Sequence, residues 1–476
     1  MISRRDFLKA AGITGASLAL EGMNSPVFAS SAASAKKVSG ANGKVDVALI
    51  GIGNRGDQVE ESMSATGLMN VIALCDVDMG AAHTQRVMNK YPYAKRYKDF
   101  RLLFDEMAPK IDAVIVCTPD FSHFPIAMRA IKEGIHVYVE KPMAQTFYEC
   151  ELLMQAAAKH PEVVTQMGNQ GHSEANYFQF KAWKEAGIIR DVYRIDAHMN
   201  GDRRWHKWDV NMKKYPDAQP IPETLDWDMW LMEKLHHDFH HDLHYGNWRC
   251  WYDFGMGALG DWGAHIFDTC HEFLELGLPE EVGMLRCDGH SDYFYPMAST
   301  IRFRFPRRGT MPACDLTWYD GKGNFPEIPE GYGANEYNAN IPAAGENSLA
   351  ASDLNPGKII YSKDLIFKGG SHDATLTIIP PEMAKEMEKY LPEVPKTPSN
   401  HYANFLLSCM GKEKTRSPFS VAGPMTQMMA LGVIAQKLNT TFKFDRNAKE
   451  IIDNPFANAL LYGPAPKQGW EDYFKI

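Results

Sequence analysis

The chain has 476 residues, 45% of them apolar and 23% charged, enough to bury the cores of two ordinary domains. A net charge of −9 with no long basic run excludes nucleic acid and anionic membrane as natural partners and favours a small, weakly charged substrate. Eight widely spaced cysteines without a CxxC pair exclude a zinc ribbon and a disulfide framework, leaving reduced packing residues.

Ser3-Arg4-Arg5-Asp6-Phe7-Leu8-Lys9 precedes a small-residue apolar run over 10–20 and an alanine-rich stretch ending near residue 35. This order reads as a twin-arginine export signal and linker over 1–35. The expectation is a protein passed folded to the twin-arginine machinery and working in the periplasm or otherwise outside the cytoplasm. No cysteine closes the apolar run and no transmembrane segment follows, so no membrane anchor is expected.

At Val45 the pattern changes to strand, glycine turn and helix. A β-type run over 45–50 leads into Gly51-Ile52-Gly53-Asn54-Arg55-Gly56, and a helical segment follows to about residue 66. The turn has the spacing GxGxxG, placed between a strand and a helix. A second strand over 71–75 ends in Asp76, twenty residues after Gly56. Glycines there let the backbone approach a pyrophosphate at a helix N-terminus, and the acid accepts hydrogen bonds from the adenosine ribose. Because that acid would repel a ribose phosphate, NAD is expected rather than NADP. An exported protein meets no known free pool of nicotinamide nucleotide, so the NAD is expected to be tightly held.

The alternation continues with helices over 79–91 and 99–107, a strand over 113–117, a helix over 123–133 and a strand over 136–140. This predicts a doubly wound parallel sheet, a Rossmann domain over 40–165. Its strand ends put Thr118, Pro119, Glu140 and Lys141 beside the dinucleotide. His123 either touches the cofactor or caps the next helix.

The order GxGxxG, Cys75-Asp76, Thr118-Pro119 with His123, then Glu140-Lys141-Pro142 resembles the Gfo/Idh/MocA oxidoreductase family, the family of glucose-fructose oxidoreductase and inositol dehydrogenase. The resemblance is dense over 45–275 and looser beyond. It implies that Lys141 lies by the nicotinamide and the substrate, and that the second domain carries a large, mostly antiparallel open sheet whose face pairs subunits, so a homo-oligomer is expected.

A helix over 149–159, a strand over 163–167 and the turn Gly168-Asn169-Gln170-Gly171 lead into a substrate and oligomerisation domain over 166–476, with Asn169 placed among the substrate contacts. In the glycine-rich run 255–268, Asp261 and His265 fall at i and i+4, on one face of a helix. Histidine can take a hydroxyl proton near neutral pH, and a carboxylate one turn away can orient it. The resemblance implies a catalytic trio of Lys141, Asp261 and His265, with His265 as acid–base; Asp268 reads as a structural partner.

Trp248, Arg249 and Trp251 offer flat apolar faces and a guanidinium, as a sugar site requires, although core packing explains the tryptophans equally well. Arg203, Arg204, Trp205 and His206 form a similar cluster. In the run 236–244, five histidines and two aspartates fall within nine residues. His240 and His244 there could share a metal from one helical face, but solvated or substrate-binding histidines fit as well, and no metal is assigned.

Residues 320–357 read as a long surface loop. Strands are expected over 299–305 and 358–367, helices over 399–410 and 421–438, and a tail packed back across the molecule. The combined reading is hydride transfer between NAD and a hydroxyl or keto carbon of a sugar. The alternative is an NAD-assisted glycoside hydrolase or lyase that oxidises a sugar carbon only transiently.

Overall fold

Short apolar runs in the first half of the chain assemble into one parallel sheet. Its strands are β1 (Val45–Ile50), β2 (Met69–Cys75), β3 (Lys95–Tyr97), β4 (Ala113–Val116), β5 (His136–Val139) and β6 (Thr165–Met167). The computed structural model describes residues 43–201, 208–244, 246–332 and 355–476. The export segment, the Arg203, Arg204, Trp205, His206 cluster and the larger part of the 320–357 loop lie outside the described residues.

The strand order is β3-β2-β1-β4-β5-β6, every pair parallel. Every residue of β4 and β5 is buried, as happens when helices cover both faces of a sheet. The period of two along β1 divides the core. Val47 and Leu49 pack with helices Arg55–Ser64, Gln85–Lys90 and His401–Cys409, whereas Ala48 and Ile50 pack with Phe100–Met107, His123–Lys132 and Phe147–Lys159. The order reverses between β1 and β4, and at such a switch point the carboxyl ends of the strands leave a crevice.

The second sheet has nine strands: β7 (Val192–Met199), β8 (Glu281–Asp288), β9 (Ala298–Phe305), β10 (Cys314–Asp320), β11 (Gly357–Ser362), β12 (Ile366–Gly370), β13 (Thr377–Ile379), β14 (Phe442–Asp445) and β15 (Glu450–Ile451). They run in the order β13-β12-β11-β7-β10-β9-β8-β14-β15. Only β7 and β10 pair parallel; the other pairs are antiparallel. The fold is thus a Rossmann sheet followed by a mostly antiparallel one.

Details differ from expectation for local reasons. The single strand expected over 358–367 is the hairpin β11–β12. Its turn is closed by Ser362, whose Oγ accepts from the Leu365 amide at 3.0 Å and donates to the Leu365 carbonyl at 2.8 Å. The helix expected over 79–91 is a 3-10 turn, Ala82–Thr84, followed by Gln85–Lys90.

Helix Phe419–Leu438 joins the two halves. Gly423 lets it approach Met154, and Gly432 lets it approach Leu259 and Phe303. The tail returns to the first domain, with Trp470 against Phe100 at 5.9 Å and Arg101 over its ring at 5.0 Å. Among the described residues no helix is long and apolar enough to cross a membrane.

His172, after β6, clamps this junction. Its Nδ1 lies 3.3 Å from Asp268 Oδ2 and its Nε2 meets Glu272. Burial disfavours the charged ring, but the two carboxylates outweigh burial and raise His172 to about 9. A folded-state value above the ordinary 6.5 means that the stabilisation is complete below 6.5 and is lost as pH rises through 9. Replacing His172 by Gln is expected to cost roughly 3–5 kcal/mol near pH 6, the range for breaking one side of a buried pair. In urea titrations at several pH values, the gap between wild type and variant should narrow from pH 6.5 to 9; a constant gap would show that the ring is not charged.

Candidate functional site

The glycine turn sits in the crevice because its shape admits no side chains. Gly51, at φ +80°, lies so close to β4 that a Cβ would fall 2.8 Å from the Cys117 carbonyl atoms, and one on Gly56 would fall 1.9 Å from the Gly51 oxygen. Gly53 faces the His83 ring, and Asn54, at φ +48°, opens helix Arg55–Ser64. Asp76, at the end of β2, braces the turn: Oδ2 accepts from the Ile52 amide and Oδ1 from the Asp78 amide, both at 2.9 Å. Burial raises its pKa.

A cavity of about 260 Å³ runs from this turn past the ends of β4 and β5. It is lined by Gly51, Gly53, Asn54, Arg55 and Asp76, then Thr118, Pro119, Glu140 and Lys141, and finally Trp248 and Arg249. His83, Lys98, Trp230 and His244 also line it. His83, Lys98 and Trp230 stand in no spacing pattern that would have singled them out, whereas His244 belongs to the histidine-rich run over 236–244.

Arg55 crosses the crevice to Glu140 at 3.0 Å and donates to the Tyr402 hydroxyl at 3.2 Å. Burial alone would push Glu140 up, yet Arg55 and Lys141 hold it below its usual range. A bound pair of charges thereby joins the glycine turn to the Glu-Lys-Pro motif.

Lys141 donates to Asp261 twice, to the backbone oxygen at 2.7 Å and to Oδ1 at 2.9 Å. Arg249 Nε lies 3.6 Å from the same Oδ1, and its guanidinium stacks 4.1 Å above the Trp248 ring. Burial lowers the Lys141 pKa, with Asp261 acting against that fall, so the ammonium is closer to giving up its proton than an exposed lysine.

Asp261 and His265 lie on a π-helix and on the short helix that follows it rather than on one continuous α-helix, and their direct contacts differ. Residues Leu259–Gly263 wind as a π-helix before the short helix Ala264–Ile266. Asp261 meets Lys141, whereas the buried His265 ring stacks on His372 with centroids 4.1 Å apart and planes 15° apart. Its Nδ1 has no hydrogen-bond partner among the described residues. Burial, then His372 and Lys141, hold the imidazole well below its usual pKa, hence neutral.

Other residues singled out from sequence lie away from the cavity wall, His244 excepted. Both ring nitrogens of His123 meet carbonyl oxygens, Pro142 at 2.8 Å and Thr118 at 2.9 Å, so it ties the two strand-end loops together and neither touches the crevice nor caps from solvent. Gly56 serves helix-to-strand packing. Asn169 is buried and accepts from the Ser417 hydroxyl at 2.6 Å. Trp251 is fully buried, donating to the Asp242 carbonyl at 2.7 Å and packing on Trp208 at 4.6 Å, so it is core rather than sugar platform. His240 and His244 share no helical face: His240 is extended, His241–Leu243 is a 3-10 turn, and His244 turns into the cavity. The donors that do gather are His240, His241 and Asp242, within 4.8 Å.

Comparison with known proteins agrees with the two-part fold. An oxidoreductase-family model with an NAD-binding Rossmann fold matches residues 45–168, and the family's C-terminal alpha/beta domain matches 185–347. The chain belongs to the Gfo/Idh/MocA oxidoreductase family. A twin-arginine signal model matches residues 1–20. The inositol 2-dehydrogenase of Salmonella typhimurium is 26% identical over 190 residues, 39% of this chain and 53% of that protein. The alpha-N-acetylgalactosaminidase of Shewanella oneidensis is 30% identical over 228 residues, 44% of this chain and 49% of that protein. The chain thus spans about half the length of the curated relatives it matches. Among solved structures, an NAD-binding protein from Listeria innocua shares the fold at TM-score 0.53 and 15% identity, covering 84% of this chain and 99% of that one.

Proposed function

We propose that this oxidoreductase transfers hydride between a retained NAD and a secondary hydroxyl, or the matching ketone, of a sugar or sugar-like polyol. The observation that carries the reading is the buried Lys141–Asp261 pair, whose lysine lines the same cavity as the glycine turn. The cradle fits a dinucleotide, since at Gly51 and Gly56 a single Cβ would collide with backbone. Gly51, Gly53, Asn54, Asp76 and Thr118 would hold it. Asp76 and Asp78 line the same cavity, and carboxylates beside the adenosine ribose would favour NAD over its 2′-phosphate. When bound, the nicotinamide supplies a two-electron hydride acceptor or donor.

The chain's own residues manage the proton and the charge. His265, kept neutral by burial, takes the hydroxyl proton. Lys141, fixed by two bonds to Asp261, steadies the negative charge that grows on the carbinol oxygen. Arg249, stacked on the Trp248 ring, presents its guanidinium to the sugar in the cavity that both residues line. The twin-arginine match supports export, and an exported enzyme of this kind must recycle its NAD in place.

A second reading, glycoside cleavage without net redox, is favoured by the 30% identity to an alpha-N-acetylgalactosaminidase. One experiment separates the two. The purified, undialysed protein is assayed for nucleotide, then given free sugars, inositols and aryl glycosides while absorbance at 340 nm and aglycone release are followed. Lasting reduction on a free polyol is the expected result. Aglycone release without lasting reduction would select the second reading, and a protein that binds no NAD would end both.

A further inference from the structure

We propose that His372 is a positioning residue for His265: its ring covers one face of the His265 imidazole, fixes the orientation of that ring and keeps water off it. The proposal rests on the reading of His265 as the acid–base group. The first observation is the near-parallel stack, 4.1 Å and 15°. The second is a backbone bond that sets its register, from the His372 amide to the His265 carbonyl at 2.9 Å. The two residues are therefore joined at two points, ring to ring and main chain to main chain.

The loop that carries His372 is held in a conformation that histidine rarely adopts. His372 has φ +55°, a left-handed setting that disfavours a side chain and tends to persist where the surroundings over-determine it. Those surroundings are specific. A Cβ on Gly171 would fall 2.4 Å from the His372 oxygen, Ser371 Oγ lies 3.0 Å from His372 Nδ1, and Trp262 presents its ring nearly perpendicular at 5.6 Å. A loop chosen only to connect β12 and β13 would have no reason to place an imidazole there.

The stack acts on the proton of His265 in two ways. Covering the ring removes water that would solvate an imidazolium, and a charge on either ring opposes a charge on the other. The charged and titratable groups that face the pair are Lys141 and Arg55 from the crevice, Asp261 and Asp268 from the segment around His265, and Asp373 beside His372. Burial also holds His372 low, at about 4, so the stack consists of two neutral rings at working pH.

The test uses the nucleotide-bound protein with ¹³C-labelled histidine rings, His265 assigned by its loss in His265→Gln. In His372→Ala the His265 titration is expected to move up by at least one pH unit, whereas His372→Phe, which keeps the flat cover, should leave it depressed. If the Ala variant does not fold, His372→Gln replaces it, since it too removes the ring. An unmoved titration in the ring-less variant overturns the proposal. A titration that moves while the acid limb of kcat/KM does not would uphold the positioning role and overturn the reading of His265 as the base.

Discussion

Replacing Lys141 by Met is expected to lower turnover by about 10²–10³-fold, the usual cost of removing one preorganised stabiliser of developing charge, with the nucleotide still bound. The ammonium holds two oxygens of Asp261, at 2.7 and 2.9 Å. Methionine keeps most of the length of the side chain but donates nothing, so Asp261 keeps Arg249 at 3.6 Å and loses its better-placed cation. The reacting oxygen loses the charge that would steady it, and kcat should fall more than KM rises. Lys141→Arg should be nearly as poor, because a planar guanidinium cannot reproduce two contacts built for a compact ammonium. In the wild type, burial lowers the Lys141 pKa, so activity should decline on the alkaline side below the 10.5 of an ordinary lysine. Steady-state kinetics and the nucleotide released on denaturation test this together; loss of nucleotide from Lys141→Met would make the lysine a cofactor anchor instead.

What could be read from sequence followed the physics of each part. The glycine turn was legible because its constraints are local: a strand, three glycines, a helix start and an acid at the next strand end are all written within thirty-two residues of chain, 45–76. The parallel strands were legible because burial on two faces demands unbroken apolar runs. β3, Lys-Arg-Tyr, carries no such run and was invisible. The π-turn at Leu259–Gly263 was missed because a spacing of four fits α and π winding about equally well, so the pattern does not tell them apart. Trp251 and Asn169 show a further limit: a residue type suited to sugar contact is also suited to a buried hydrogen bond, and only the direction of the side chain decides. His372 carried no signal at all, since its partner is more than one hundred residues earlier in the chain.

Two alanine substitutions within the same turn should separate nucleotide binding from folding. In Gly56→Ala the new Cβ would lie 1.9 Å from the Gly51 carbonyl oxygen, a backbone atom fixed in the β1–β4 crevice, so helix Arg55–Ser64 must shift off the sheet. The expected result is a protein with a clearly lowered thermal midpoint even when excess NAD is supplied. In Gly53→Ala the new Cβ would instead meet the His83 ring at 2.0 Å. A side chain can swing away, so the fold should survive with a nearly normal midpoint in the absence of nucleotide. The methyl group then stands where the pyrophosphate must approach the backbone, and NAD affinity should fall by at least 100-fold, about 2.7 kcal/mol at 1.36 kcal/mol per factor of ten. Calorimetric titration of NAD and melting with and without ligand give both quantities. If Gly53→Ala bound NAD normally, the glycine turn would be a packing device alone, and the cofactor site would have to be sought elsewhere along the cavity.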